Sequence, residues 1–258
     1  MASEAQIRQE IVEYGRRAYA RGLVAASDGN ISFRLEPDRI LITPTGSCLG
    51  FLQGSDLAVI DREGKPTDGS PRPTSEYRLH LEVYRLREDV RAVVHAHPPL
   101  CTAFSVAGVS LENYVLPEIA FTIGAIPTTA YSTPTTDEPP QVAAEYIQRC
   151  DAMILDRHGA LTVGRDLRDA YFKMEKLEHT AEVVIAAHSL GRVRTLDESQ
   201  IHRLMQARSD LGLEGRIYRC VYRPGDAAPE LLAPNRTDED IRSVERITRE
   251  VLRNLNPG

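Results

Sequence analysis

Apolar and polar positions along the chain change period several times, and each change marks an element. Ile7, Ile11, Tyr14 and Ala18 fall at spacings of four, three and four. That interval is one face of a helix, so a helix is predicted over 5–21, with Gly22 as its stop. Ser27-Asp-Gly-Asn30 is a turn signal, and residues 31–35 alternate like a half-exposed strand. Pro37-Asp38 turns the chain into a second strand over 39–43, giving a hairpin. A third strand is predicted over 57–61. Pro71-Arg-Pro-Thr-Ser-Glu76 then opens a helix: Thr74 or Ser75 can cap it, and Glu76 sits in the first turn, where a carboxylate suits the helix dipole. Tyr77, Leu81 and Tyr84 repeat along it at four and three.

The run Ala92-Val-Val-His-Ala-His-Pro98 reads as a strand that two prolines stop. A short helix over 100–106, a strand over 126–131 and a helix over 139–150 are predicted next. Two apolar strands, 152–156 and 160–164, flank the tight turn Arg157-His-Gly159. Asp166 caps the longest helix, whose stripe is Leu167, Ala170, Met174, Leu177, Ala181, Val184 and His188. Such a stripe is core or helix contact, and His179 and His188 on this helix are packing or surface residues. Another helical segment covers 197–212. Residues 218–234 are irregular, and 237–255 form a polar helix with Ile241, Val244, Ile247 and Val251 on one side. Strands mixed with flanking helices predict an α/β sandwich, one sheet between helix layers. The chain divides into a domain over 1–212 and a C-terminal extension over 213–258.

Composition narrows the class. With 258 residues, 42% hydrophobic and 26% charged, the chain is ordinarily globular and long enough for a sizeable core. A net charge of -6 argues against nucleic acid as the main partner. No apolar run approaches the roughly 20 residues of a membrane span, and the polar N-terminus lacks a signal-peptide core. Cys48, Cys101, Cys150 and Cys220 are too scattered for a zinc ribbon or redox pair, and reduced, mostly buried thiols in a cytoplasmic protein are expected. Neither nucleotide-binding fingerprint, GxGxxG after a strand or GxxxxGK[ST], occurs.

The candidate chemistry gathers on histidines. In a strand, His95 and His97 point the same way and leave its end side by side. Two imidazoles on one face are half of a metal site, suited to zinc, iron, nickel or copper, and equally an ordinary polar strand end. His158, at a strand end before Gly159, can supply a third ligand. Three imidazoles leave an open position, as a catalytic zinc requires. Glu76 can act as a base for a proton next to a polarised carbonyl. Turns around Gly29-Asn30, Thr45-Gly46 and Thr74-Ser75 can hold a phosphate through backbone N–H groups, hydroxyls and an amide.

Taken together, Gly29-Asn-Ile-Ser32, Leu41-Ile-Thr-Pro-Thr-Gly46, Pro73-Thr-Ser-Glu76, Val93-Val-His-Ala-His-Pro98, Ile126-Pro with Tyr131, and Arg157-His-Gly159 resemble the class II aldolase/adducin family over about residues 5–212. The resemblance implies a nine-stranded, mostly antiparallel sheet between helix layers and a C4 homotetramer with interface active sites. It implies zinc held by His95, His97 and His158, with Glu76 as fourth ligand in the resting enzyme and as acid/base in turnover. Asn30, Thr45, Gly46, Thr74 and Ser75 would bind the substrate phosphate. The implied reaction is reversible cleavage of a ketose 1-phosphate, like L-fuculose 1-phosphate, to dihydroxyacetone phosphate and an aldehyde through an enediolate. In such aldolases a neighbouring subunit's tyrosine protonates the aldehyde oxygen, and Tyr114 is the acid that the corresponding stretch offers. Thr74-Ser75 stands where the family more often has two serines, and the extension beyond 212 exceeds its common length. The same fold also hosts 4-epimerases, decarboxylases, a dehydratase, iron oxygenases and metal-free adducin-like modules, so fold does not decide among them. The intact histidines weigh against the metal-free module, and Glu76 weighs against an epimerase.

Overall fold

The computed structural model describes residues 2–217, apart from Asp68 and Glu214. The predicted terminal helix over 237–255 and almost all of the expected extension lie outside the described residues. The elements in chain order are α1 (Glu4–Ala20), β1 (Asn30–Glu36), β2 (Arg39–Ile42), β3 (Ala58–Ile60), α2 (Tyr77–Leu86), β4 (Ala92–Ala96), α3 (Pro99–Val106), α4 (Pro117–Thr122), α5 (Glu138–Arg149), β5 (Ala152–Leu155), β6 (Gly159–Gly164), α6 (Leu167–Ser189) and α7 (Glu198–Asp210), with two short 3-10 turns between β2 and β3. The strands form one sheet in the order β3-β2-β1-β4-β6-β5, and every neighbouring pair is antiparallel.

The α/β sandwich expected from the sequence is present, but nine strands are not: the sheet has six among the described residues. The segment over 126–131, predicted as a strand, makes only single bridges, Leu111 to Ile126 and Thr128 to Ile154. Prolines explain part of the shortfall. Pro127 sits inside that segment, and Pro44, Pro66 and Pro73 sit in the other isolated bridges. A proline has no N–H to donate, so a ladder that reaches one cannot extend.

Each sheet face is covered. Ile40, Ile42, Ile60, Val93, Met153, Leu161 and Val163 pack beneath Leu79 and Val83 of α2 and Ala143 and Ile147 of α5. On the opposite face lies α6, against β4, β5 and β6, with α1 beside it against β1. The predicted stripe of α6 is buried from Leu167 to Val184. Asp166 caps that helix, its carboxylate accepting from Asp169 N at 2.7 Å. Burying a Leu or Val side chain contributes about 1.5–3 kcal/mol, and both faces are lined with such residues. The central strand β4 is therefore clamped along its length. What emerges from its C-terminal end is held rigidly.

Candidate active site and metal centre

The end of β4 is where three separate segments converge. His95 is the fourth residue of the strand and fully buried. It pairs across the ladder with Asn30 of β1 on one side and Leu161 of β6 on the other. His97 follows the strand, its backbone N–H donating to Leu23 O at 2.9 Å. His158 lies in the turn between β5 and β6. That turn carries Arg157 at a φ of 56°, a left-handed conformation that is strained for a side-chain-bearing residue. The Arg157 N–H donates to Ser105 Oγ of α3 at 3.0 Å, which pins the strained turn. Gly159 follows at a φ of 132°. A Cβ there would collide with Ala96 O and the His97 ring, so only glycine lets the turn approach the strand end. Gly29 plays the same part on the other side, since its Cβ would meet Val24 Cγ1 at 2.6 Å and His95 O at 3.0 Å.

The side-chain atoms meet at one point. His97 Nε2 stands 3.1 Å from His95 Nε2. Glu76 Oε2 stands 3.3 Å from His95 Nε2, and Glu76 Oε1 stands 3.1 Å from His158 Nε2. The three imidazole rings lie 4.9–5.1 Å apart, centre to centre. His95 Nδ1 faces Ala160 O at 3.0 Å. Because a carbonyl only accepts, Nδ1 carries a hydrogen, and in the neutral ring the Nε2 lone pair faces the cluster. His97 turns its Nδ1 toward Asp28, at 3.6 Å from Oδ2.

The cluster's charge is concentrated on Glu76. Burial alone would raise its carboxyl, but the His95 charge and the hydrogen bonds from His158 and His95 outweigh burial and hold it far below the usual carboxylate range. Burial lowers His95, and the facing Glu76 carboxylate more than reverses this, so His95 is raised. His97 is pushed down to about 3 by burial and by the neighbouring His95 and His158. The arrangement thus keeps Glu76 a carboxylate beside a neutral His97, and draws positive charge, a proton or a cation, to the Nε2 side of His95.

A divalent cation fits the donor set. Ligands about 2.0–2.1 Å from a tetrahedral centre stand about 3.3–3.4 Å apart, and the three separations above, 3.1, 3.1 and 3.3 Å, approach that spacing. One ligand atom from each of His95, His97 and His158 lies within 4.8 Å of the others. His158 Nδ1 is buried without a hydrogen-bond partner, so the ring is oriented only from its Nε2 side, where Glu76 lies. Neutral imidazoles and a carboxylate suit zinc and also iron.

The expected phosphate-site residues fall into two groups. The loops carrying Thr45-Gly46 and Thr74-Ser75 run side by side: Pro44 bridges Pro73, Thr45 N–H donates to Arg72 O at 3.1 Å, and Thr74 N–H donates to Thr43 O at 3.0 Å. Thr45, Gly46 and Ser75 are exposed, whereas Thr74 is buried. Asn30 is buried beneath them, 2% exposed, and its Nδ2 donates to Glu76 Oε2 at 2.8 Å. The start of α2 differs from expectation. Glu76 precedes the first helical residue instead of sitting in the first turn, and neither Thr74 nor Ser75 is its cap residue. Thr74 serves instead through Oγ1, which accepts from Glu76 N at 3.3 Å. Tyr114 is 7% exposed and packs with Ala120 and Ala125 against Leu196, Ile201, Leu204 and Met205, a cluster separate from the histidines. Its backbone oxygen accepts from Leu196 N at 2.7 Å.

Sequence reasoning missed three residues: His80 and Tyr84 of α2 and Ser32 of β1, buried together behind Asn30. Their signal was the spacing of Glu76, His80 and Tyr84 by four on a helix facing Asn30 and Ser32, two apart on a strand.

The stretch of this chain that known proteins match includes the site residues. The sequence profile of the Class II Aldolase and Adducin N-terminal domain matches residues 9–185. An L-fuculose phosphate aldolase of Methanococcus vannielii is 41% identical over 177 residues, 68% of this chain and 93% of that protein. A 3-oxo-tetronate 4-phosphate decarboxylase of Pectobacterium atrosepticum is 32% identical over 188 residues, 71% of this chain and 86% of that protein. Among solved structures, an L-fuculose 1-phosphate aldolase superposes with a TM-score of 0.73 at 28% identity, covering 81% of this chain and 98% of that one. With more than half of its length matched, this chain belongs to the class II aldolase and adducin family, and within it to the enzymes.

Proposed function

We propose that the protein is a zinc-dependent aldolase that reversibly cleaves a ketose 1-phosphate, of the L-fuculose 1-phosphate kind, to dihydroxyacetone phosphate and an aldehyde. The observation that carries this reading is the convergence of His95, His97, His158 and Glu76 on one point, beside two stitched loops of hydroxyls and backbone N–H groups. His95, His97 and His158 hold the metal, with Glu76 as fourth ligand at rest. Bound there, the metal would polarise the ketose oxygens. Glu76, its carboxylate already ionised, takes a proton from the carbon beside the carbonyl of dihydroxyacetone phosphate in condensation and returns it in cleavage. Asn30, Thr45, Gly46, Thr74 and Ser75 orient the phosphate. Tyr114 serves as the acid for the aldehyde oxygen, delivered to a neighbouring subunit in a C4 homotetramer. The setting is cytoplasmic. Cys48, Cys101 and Cys150 are free thiols, and no helix among the described residues is long and apolar enough to cross a membrane.

A second reading, decarboxylation of a 3-oxo sugar-acid phosphate, is favoured by the 32% identical decarboxylase. One assay separates the two. Zinc-loaded protein, with metal content measured in parallel, is offered a panel of deoxyketose 1-phosphates and 3-oxo acid phosphates. Release of dihydroxyacetone phosphate is expected. Carbon dioxide without triose phosphate would establish the second reading, and no triose phosphate from any ketose 1-phosphate would sink the first.

A further inference from the structure

Behind Glu76 runs a buried ladder of side chains drawn alternately from α2 and β1. Asn30 Nδ2 donates to Glu76 Oε2 at 2.8 Å. Asn30 Oδ1 faces His80 Nε2 at 2.5 Å. His80 Nδ1 faces Ser32 Oγ at 2.6 Å, and Ser32 Oγ faces the Tyr84 hydroxyl at 2.7 Å. The ladder closes because two periods match. Four residues of helix rise about 6 Å, and two residues of strand rise about 6.6–6.8 Å. Glu76, His80 and Tyr84 can therefore interleave with Asn30 and Ser32. Asn30, Ser32 and His80 are each at most 2% exposed, and Tyr84 is 7% exposed.

The donor direction is forced at the first two rungs, and at the last two once His80 is neutral. A carboxylate only accepts, so Asn30 must turn its NH2 to Glu76, which leaves its carbonyl oxygen for His80. That oxygen only accepts, so His80 Nε2 must carry a hydrogen. With His80 neutral, Nδ1 is an acceptor and the Ser32 hydroxyl must donate to it. The Tyr84 hydroxyl, with the Ser32 hydrogen already spent, donates to Ser32 at 2.7 Å in preference to Arg91 O at 3.4 Å. All four hydrogen bonds point toward the carboxylate, and such chains polarise one another. Burial drives His80 down to about 3, with the His95 charge adding to it, consistent with a neutral ring.

We propose that His80, locked as its Nε2–H tautomer by Ser32 and Tyr84, is a positioning residue that acts through Asn30 to aim and hold the Glu76 carboxylate. The kinetic consequence rests on the acid/base role proposed for Glu76, while the hydrogen-bond chain does not. Groups that orient a ligand from behind typically change activity by roughly 10- to 100-fold when removed.

Two measurements test this. Long-range 1H–15N spectra of the labelled wild-type protein at neutral pH should show His80 with its hydrogen on Nε2 and an accepting Nδ1. A Nδ1–H tautomer would overturn the proposal whatever reaction the protein catalyses. In kinetics, His80→Leu should lower kcat roughly 10- to 100-fold with KM for the sugar phosphate nearly unchanged. His80→Gln, whose amide N–H can reach Asn30 Oδ1, should recover most of the loss. A folded His80→Leu protein with wild-type kcat, or a Gln variant no better than Leu, would also overturn it. If His80→Leu does not fold, Tyr84→Phe decides: it removes only the far hydroxyl and should lower kcat less, again without moving KM. An unchanged kcat there counts against the chain. A wild-type protein with no sugar-phosphate turnover defeats the proposed function, and the tautomer then decides the chain alone.

Discussion

Two clusters of ionisable side chains lie buried at opposite ends of the same strands, and they are built on opposite rules. Beyond the start of β5 and the end of β6, Arg87 spends all five of its N–H groups: two on Asp89, one on Asp151 and two on the carbonyls of Ile147 and Cys150. Lys173 matches its three hydrogens to Asp151, Asp169 and Val163 O, each at 2.9 Å. Donors and acceptors close on one another. At the far end of β4, lone pairs face lone pairs: the His95 Nε2 acceptor sees both His97 Nε2 and a carboxylate oxygen. Burial and charge are common to both clusters. Only the second leaves its electron pairs aimed at a shared point, and this separates a ligand site from a structural ion network.

The largest expected effect breaks the second cluster chemically while sparing the fold. Glu76→Gln keeps the shape and the three imidazoles but removes the base. Its kcat should fall by roughly 10²–10⁴-fold, the usual worth of a general base, with metal content and thermal unfolding close to wild type. Full activity in a folded, metal-loaded variant would refute the assignment. The mirror experiment breaks the first cluster. Arg87→Met leaves Asp151, 3% exposed, with Lys173 left to balance it, and leaves the Ile147 and Cys150 carbonyls without the Arg87 donor. Removing one member of a buried pair costs about 3–5 kcal/mol, measurable by urea unfolding. The surviving folded fraction should bind metal as the wild type does. A loss of metal binding per folded molecule would mean that the two ends of β4 are not independent.

A third test sharpens the contrast through ligand linkage. A cation that binds only the folded protein at 100 times its dissociation constant adds about 2.7 kcal/mol. Zinc should therefore raise the unfolding midpoint of the chelator-treated wild type and of Arg87→Met by similar increments. His95→Ala combined with His97→Ala should abolish the shift. A shift that survives the double substitution would place the cation elsewhere.

What the sequence shows by itself follows from short-range regularity. Alternation along residues 92–98 puts His95 and His97 together, the Gly after His158 marks a sharp turn, and the stripe of α6 is visible residue by residue. What escaped depended on partners distant in the chain. Tyr77, Leu81 and Tyr84 repeat along α2 and all three reach the core, Tyr84 buried and the other two in part, but the buried residues also include Leu79, His80 and Val83, which that repeat does not pick out. A histidine inside an apolar face has no meaning until Asn30 and Ser32, brought alongside by the β1 register, give it partners. The strand count failed for a related reason. Pro127 interrupts a segment whose residues otherwise suit a strand: lacking an N–H, it leaves only Ile154 N–H to Pro127 O and Thr129 N–H to Ile154 O, and the pairing with β5 stops at a single bridge.

The smallest effect expected is a proton linkage, and it isolates His80 from the other titrating groups. His80 has a folded pKa of about 3 against a usual value of 6.5. Below about pH 6.5 the unfolded chain takes up a proton there that the folded protein refuses. The unfolded state then binds more protons, so stability rises with pH and is lost as pH falls from about 6.5 toward 3. The slope is about 1.4 kcal/mol per pH unit for one such group. His97, depressed in the same direction, adds to this slope, and Glu76, held far below the usual carboxylate range, adds to it below about pH 4.5, whereas His95, raised by its carboxylate partner, acts above about pH 6.5. The wild-type slope alone therefore does not identify a residue. The difference between wild type and His80→Gln does. Gln has no proton to gain, so between about pH 6.5 and 5 the variant's stability should fall less steeply than the wild type's, by about 1.4 kcal/mol per pH unit. Equal slopes in metal-free urea titrations would mean that His80 takes up its proton without unfolding, and that the ladder behind Glu76 tolerates a charge its donor order forbids.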